Sequence, residues 1–420
     1  HTSTKTLKGK LVVRGNRLFD GLHKELKFGF SRIGELVVAQ APEDFTVLEQ
    51  LKKQGDEKGV PGLEIWPQEH LRREEPNLSN TLLGALYAPS AGVINPYEFA
   101  FALTENATVN GVALMTDSSV KRIDNKGDRF ILHTLKGKLT TRYVINCAGI
   151  FADRIAQMVQ LNDFTIQPRK GEEYMLDKRL KGLVRHLIFP VPQKNSKGIL
   201  IIPTFDGTIM VGPTAQDTED RFDISTTYEG SKQVFGFVGK ICPSITARDT
   251  ITEFAGLRAV SNTNDFIIGP TKVNRFINVA GIQSPGLTSA PAIAEYVCEI
   301  LKNEGLTLKE KDNFNPIVQG PSRFASLSVE KQQELIQKNR LFGKIICRCE
   351  LVTEAEIHSA IDHGARTLDG IKFRTRAGMG RCQGSFCSIR CMNILANRLD
   401  EPFENITKRG GNSWIVRKER

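Results

Sequence analysis

No apolar run in this 420-residue chain approaches the roughly 18 residues that a membrane-spanning helix requires. No cationic segment leads into an apolar one at its start, so the sequence lends export no support. Internal repeats and low-complexity tracts are also absent, which sets aside solenoid and fibrous classes. Lys and Arg outnumber Asp and Glu by 57 to 47, yet the basic residues are not interleaved with aromatics as a nucleic-acid stacking platform demands. What is left is an expectation of a cytoplasmic protein of two or three domains with ample core. Cys147, Cys242 and Cys298, scattered through apolar segments, suit a reducing compartment.

The other five of the eight cysteines crowd between positions 347 and 391. They run Cys347-x-Cys349, then Cys382-x4-Cys387, with Cys391 one helical turn later. Two close pairs joined by a long connection suit a tetrahedral zinc or an iron–sulfur cluster. The surroundings favour the cluster. Lys372, Arg374, Arg376 and Arg381 lie near Gly378, Gly380 and Gly384. An oxidised two-iron centre on four thiolates carries a charge of about −2, and its sulfides want hydrogen-bond donors. Glycines let backbone N–H groups approach the sulfurs, and the cations offset the charge. Zinc needs neither so urgently; a set of buried, metal-free cysteines beside a solvated basic loop is the other alternative.

Cys347-Arg348-Cys349-Glu350, Val352-Thr353-Glu354 and the run from Thr375 to Cys387 resemble the small helical [2Fe–2S] module of the bacterioferritin-associated ferredoxin (BFD) type, which is appended to several flavin-dependent dehydrogenases. The resemblance implies Cys347, Cys349, Cys382 and Cys387 as ligands, with Cys391 a packed core residue or substitute ligand. Half of the net charge of +10 falls in residues 341–420, where 14 Lys and Arg face 9 Asp and Glu. A basic face that docks an acidic electron-transfer partner accounts for it.

Upstream, apolar spacing predicts a helix over Thr6–Lys27, a strand over Arg32–Gln40 and a helix over Pro42–Lys58. A helix over Pro96–Thr108 and a hairpin over Ser119–Leu135, turning at Asp124-Asn125-Lys126-Gly127, follow. Thr140–Gly149 reads as one strand running into Ala-Gly, with a helix over Phe151–Val159 behind it. Residues 165–255 alternate like an antiparallel sheet. Phe276–Ala280 is a buried strand and Ser289–Asn303 a helix; Lys309–Lys344 is polar connection. Two strand-to-helix turns, Asn146-Cys147-Ala148-Gly149 and Gly281 through Pro291, are built of small residues that let backbone approach a cofactor. An ordinary buried strand ending in Gly is the alternative for the first, and a plain βα loop capped by Ser or Thr for the second.

In order along the chain, Tyr87 to Gly92, Asn146 to Gly149, Arg169 to Tyr174, Pro203 to Asp217, Gly256-Leu257-Arg258 and Gly281 to Pro291 resemble the FAD-dependent glycerol-3-phosphate dehydrogenase group of D-amino-acid-oxidase-like flavoproteins. The resemblance covers nearly the whole chain, cysteine module included. It implies an α/β plus α+β architecture: a truncated FAD-binding Rossmann-like domain with an antiparallel-sheet substrate domain, then a small helical [2Fe–2S] domain. The expected divisions are 1–313, with the antiparallel part around 165–255, a linker over 314–340, the [2Fe–2S] domain over 341–400, and a tail over 401–420. In the family a secondary alcohol bearing a neighbouring carboxylate or phosphate gives hydride to the flavin. The electrons would then pass singly through the cluster to a partner protein. Cousins on the scaffold oxidise 2-hydroxyglutarate or amino acids, and an inactive electron-transfer remnant is a further alternative.

By the same resemblance Val120 stands at the adenine, Gly149 near the dinucleotide, and Gly281, Pro285, Gly286, Leu287 and Thr288 beside the isoalloxazine. Arg258 is the candidate substrate-side cation, because a guanidinium fork suits phosphate or carboxylate. Ala259 follows it where the family usually has Pro. His186 is the candidate proton acceptor, with a packed histidine as the bland alternative, and Lys170 a candidate anion contact or solvated surface charge. The family's opening strand, Gly-x-Gly-x-x-Gly and helix do not occur in this sequence; the nearest partial match, Gly378-Met379-Gly380, belongs to the cysteine loop. The chain therefore reads as truncated, and weak FAD binding by this polypeptide alone is expected. A stoichiometric flavin absorption spectrum of purified protein would refute that.

Overall fold

The computed structural model describes residues 5–192, 198–321 and 323–416. The chain forms two compact units. The first comprises His1–Lys24, Ser31–Val93 and Ala107–Asn315; the second comprises Glu25–Phe30, Ile94–Asn106 and Pro316–Arg420.

The first unit is organised around a nine-stranded sheet. Its long central strand, Ile166–Leu176, pairs antiparallel with Thr250–Ser261 over nearly its full length. From there the sheet continues through Ile209–Gly212, Leu200–Pro203, Leu187–Pro190, Glu35–Ala39 and Gly84–Ala88 to Glu64–Pro67. One neighbouring pair, Leu187–Pro190 with Glu35–Ala39, is parallel. Glu35–Ala39 shows why its sequence is a solid apolar run. Leu36 and Val38 enter one core with Tyr174, Ile188 and Ile201, while Val37 and Ala39 enter another with Leu48 and Leu86. A strand covered on both faces needs no polar alternation.

Within the span expected to be purely antiparallel sheet lies a 14-residue helix, Tyr228–Ile241. Thr227 caps it by accepting a hydrogen bond from the Gly230 N–H. Val234, Val238 and Ile241, at helical spacing, pack against the sheet's core face. The single strand expected over Thr140–Gly149 is instead two. Gly137–Thr141 closes a three-stranded meander, and Val144–Asn146 runs parallel to Phe276–Ala280. Strand propensity does not name a strand's partner, so the switch at Arg142-Tyr143 left no mark in composition.

That parallel pair positions the site. Asn146 sits opposite Asn278, and its Nδ2 donates to the Asn278 Oδ1 at 3.0 Å. The carboxyl ends of the two strands therefore lie side by side. One releases the Ala148-Gly149 turn, the other the Gly281–Thr288 loop, whose helix spans Gly286–Asn303. The Leu7–Leu26 helix crosses that helix's start, and Gly15 permits the crossing. A Cβ there would lie 2.1 Å from the Thr288 carbonyl oxygen.

The second unit holds the cysteine module. A short antiparallel pair, Ile345–Cys347 with Val352–Thr353, precedes helices Glu354–Asp362, Leu368–Thr375 and Ser388–Leu399. Ile357, Ile361, Ile371, Met392 and Leu395 form their common core, which also takes in Ile406 from the segment expected as a tail. Two helices carry side-chain caps, Thr353 with Glu356 in a capping box and Thr367. Within the polar connection a helix forms over Val329–Lys338, capped by Ser328. Residues Ile94–Asn106, most of them in the Pro96–Val109 helix, belong to this unit too: Tyr97 stacks on Phe373 with ring centres 4.4 Å apart, and Arg374 pairs with Glu105. Among the described residues no helix is long and apolar enough to cross a membrane.

Candidate functional site

In the first unit a cavity of about 940 Å³ opens where the two parallel strands end. Its wall includes Gly149, Arg258 and the loop residues Pro285, Gly286, Leu287 and Thr288. Five of the seven proposed FAD contacts are thus gathered there with the proposed substrate cation. Gly281 and Val120 are not on the wall. Gly281 takes a positive φ of +66° and tucks beneath the loop, where a Cβ would meet Ser261 at 2.9 Å. Val120 packs in the meander against the Ile123 and Phe130 core.

Arg258 stands directly across from Arg169 in the sheet, and its side chain lies over Gly171. A Cβ on Gly171 would fall 2.3 Å from the Arg258 Nη2, so glycine at that register gives the guanidinium its path. Nη2 donates to the Thr214 carbonyl at 3.2 Å. Burial lowers the Arg258 pKa, against a raising influence from Glu173. Burial likewise pushes the Glu173 carboxyl up, to about 8, although the Arg258 charge acts downward. Glu173 Oε2 is buried and accepts no hydrogen bond within the described residues. Arg258 thus places a cation, held by the Thr214 carbonyl, at the cavity wall, which is chemistry suited to an anionic ligand.

His186 and Lys170 do not join them. The His186 Nδ1 lies 2.7 Å from the Glu75 Oε1, and its ring meets Trp66 and Tyr87 edge-on. That is a packed, hydrogen-bonded histidine off the cavity wall. Lys170 is buried, which corrects the reading of it as solvated charge. Its Nζ donates to the Asp223 Oδ2 at 2.7 Å, and this hydrogen bond holds the Asp223 carboxyl well below the ordinary range.

Sequence reading overlooked the polar stripe Asn16, Arg17 and Asp20 on the Leu7–Leu26 helix, which lines the same cavity with Arg32. Arg32 binds the Asn16 Oδ1 at 3.0 Å and the Asp20 Oδ2 at 3.0 Å. The signal was present: positions 13, 16, 17 and 20 share one helix face.

The cysteines of the second unit stand as two pairs. Cys349 Sγ lies 3.6 Å from Cys382 Sγ, and Cys347 is hydrogen-bonded to Cys387. That bond, with burial, pushes the Cys347 thiol up. At Cys387 the bond from Cys347 acts downward, but Cys391 and burial outweigh it and raise the thiol to about 11. Burial also opposes ionisation of Cys382, yet hydrogen bonds from the Phe386 and Gly384 backbones and from Cys349 leave its pKa lowered. The Gly378 and Glu350 backbones serve Cys347 in the same way. Gly380 carries no Cβ where one would lie 2.3 Å from the Cys349 Cβ. Among the described residues no three His, Cys, Asp or Glu side chains are drawn close enough to hold a metal ion. Even so, four thiols in two pairs, backbone donors on the sulfurs and a glycine cradle are the donor set a two-iron cluster takes. Cys391 is buried against Cys387 on the following helix.

Comparisons with known proteins match both parts of the chain. The FAD dependent oxidoreductase family matches residues 1–300, and the BFD-like [2Fe-2S] binding domain matches residues 345–397. Glycerol 3-phosphate dehydrogenase of Caloramator mitchellensis is 45% identical over 98% of this chain and 86% of its own length. Glycerol 3-phosphate oxidase of Mycoplasma genitalium is 31% identical, over 74% of this chain and 83% of its own. Among solved structures, FAD-bound L-alpha-glycerophosphate oxidase of Mycoplasma pneumoniae superposes with a TM-score of 0.72 at 26% identity, covering 76% of this chain and 85% of that one.

Proposed function

Because this chain belongs to the FAD dependent oxidoreductase family and carries a BFD-like [2Fe-2S] binding domain behind it, we propose that it oxidises glycerol 3-phosphate and hands the electrons to a protein acceptor. The observation that carries the substrate assignment is Arg258 at the wall of the cavity that also holds the Pro285–Thr288 loop.

The ring end of the cavity fits FAD, whereas no Gly-x-Gly-x-x-Gly dinucleotide fingerprint occurs in this sequence. Gly149 and Pro285 through Thr288 would hold the ring system, which when bound supplies two-electron acceptance, and Cys347, Cys349, Cys382 and Cys387 would hold the one-electron relay. Arg258 binds the substrate's phosphate, with Thr214 fixing one arm of the guanidinium. Burial at the wall lowers the local dielectric and strengthens that contact. Glu173, held neutral near pH 7, leaves the cation's charge available to the ligand. Apolar neighbours such as Leu187, Phe189 and Leu257 exclude water from the same wall.

Dye reduction by FAD-supplemented protein with glycerol 3-phosphate, 2-hydroxyglutarate, proline and sarcosine tests the reading. Glycerol 3-phosphate is expected to give the highest kcat/KM, and Arg258→Met to lower it by about 100-fold, chiefly through KM. Preference for 2-hydroxyglutarate or an amino acid would replace the substrate assignment.

A further inference from the structure

Phe386 is 81% exposed, although it sits between two of the module's paired thiols in sequence. Its backbone N–H bonds to Cys382, so the ring is anchored next to the Cys349–Cys382 pair. Ile389 and Leu351 are each 50% exposed, one two residues past Cys387 and the other two past Cys349. Arg348, Arg381 and Arg390 are exposed in the same short segments. Gly370 through Leu399 contains six Lys and Arg and no Asp or Glu; Arg374, Arg376 and Arg398 are paired with Glu105, Glu350 and Asp362, whereas no ion pair of Arg390 is seen among the described residues. The one acid beside Cys349, Glu350, is buried and bonded to the Arg376 Nε at 2.8 Å. The face is therefore an apolar centre with a cationic rim, arranged around thiols that reach the surface.

We propose that this face docks an acidic one-electron carrier protein, with Phe386 as the apolar anchor and Arg348 and Arg390 as the steering rim. The proposal rests on the cysteine pairs holding a two-iron centre. Charge complementarity identifies the occupant: a rim of one sign raises encounter rates with the opposite sign, while a buried aromatic holds the complex. A nucleic acid would use the same charge, but one lone aromatic provides no run of stacked bases. The step served by docking is a one-electron transfer. The carrier's oxidised centre gains one electron, the thiolate-held centre loses one, and no bond is made or broken.

Oxidised flavodoxin, an acidic carrier, serves as the probe, titrated calorimetrically into the full chain at low and high salt. Cytochrome c, which is basic, and a single-stranded oligonucleotide are run beside it. Flavodoxin is expected to bind at low salt and weaken about tenfold or more as salt rises, with cytochrome c silent. Phe386→Ser is expected to weaken binding about tenfold, and Arg348→Glu with Arg390→Glu to abolish the salt dependence. Ile389→Ser repeats the apolar test at a site that is not adjacent to a ligand thiol. Visible absorption of each anaerobically reconstituted protein reports the cluster separately. Wild-type binding without a cluster spectrum would retain the docking face and remove the redox reading. Flavodoxin affinity unchanged in all variants, no flavodoxin binding at low salt, tighter binding of cytochrome c or oligonucleotide, or self-association lost in Phe386→Ser would each overturn the proposal.

Discussion

The two units build their sites in opposite ways. In the cysteine module, four donors and their supporting glycines come from two short segments, and the backbone that carries the ligands also feeds hydrogen bonds to the sulfurs. In the sheet body, Asn16, Arg258 and Ser284 meet at one cavity, the first of them more than 200 residues from the other two. A local site stands or falls with single backbone positions. A dispersed site rests on the register of a large sheet and tolerates change at most of them.

The sharpest way to test that contrast is Gly380→Ala. A methyl there would press within 2.3 Å of the Cys349 Cβ, and near-complete loss of bound iron is expected, equal to that of Cys347→Ser. The same change at Gly236, where a Cβ meets nothing within 4 Å, is expected to leave iron untouched and to stabilise its helix by up to about 1 kcal/mol. Equal iron content in all three variants would erase the distinction.

In the sheet body the largest single effect belongs to Asp153, which is buried and receives both Arg221 arms at 2.6 and 2.7 Å. Burial opposes its ionisation, but the Arg221 bond and the Ile166 and Arg154 N–H groups prevail and hold its carboxyl below the ordinary value. A depressed folded pKa stabilises above the unfolded value near pH 4 and fades as pH falls through the folded one. Asp153→Asn is expected to lower unfolding free energy by about 3 kcal/mol at pH 7 and to flatten the acid limb of the stability profile.

Glu173 has the reverse sign. Its folded pKa, raised to about 8, makes its protonated form the stable one, so stability falls as pH climbs from about 4 towards 8 and levels off beyond. Glu173→Gln is expected to gain roughly 1–2 kcal/mol at pH 9 and little at pH 5, read by denaturant titration at each pH. The smallest change expected is Thr353→Ala, which removes a capping box from Glu354–Asp362 and costs about 1 kcal/mol of module stability without loss of iron.

What could be read beforehand follows the same division. The cysteine spacing, its glycines and its cations are contiguous, so they were legible as a metal centre. The Gly149 and Pro285–Thr288 turns were legible as small-residue ends of buried strands, and the structure brings both to one cavity. The helix Tyr228–Ile241 was hidden because Gly230, Gly236 and Gly239 depress local propensity, while the packing of its apolar face on the sheet, a tertiary effect, restores it. Lys170 looked solvated because its partner, Asp223, is 53 residues away. The polar stripe of the Leu7–Leu26 helix was visible by spacing, but an amphipathic helix's polar face ordinarily meets water. Here that face lines a cavity, and only the fold reveals it.

The central claim is that the paired thiols hold a two-iron centre behind a flavoenzyme body. Its most direct test is iron and acid-labile sulfide analysis of anaerobically prepared chain, with electron paramagnetic resonance after dithionite reduction. Iron and sulfide in equal amounts, near two of each per chain, with a rhombic or axial signal from one unpaired electron, is the result expected. Stoichiometric zinc, or metal-free protein with an undisturbed fold, would contradict it.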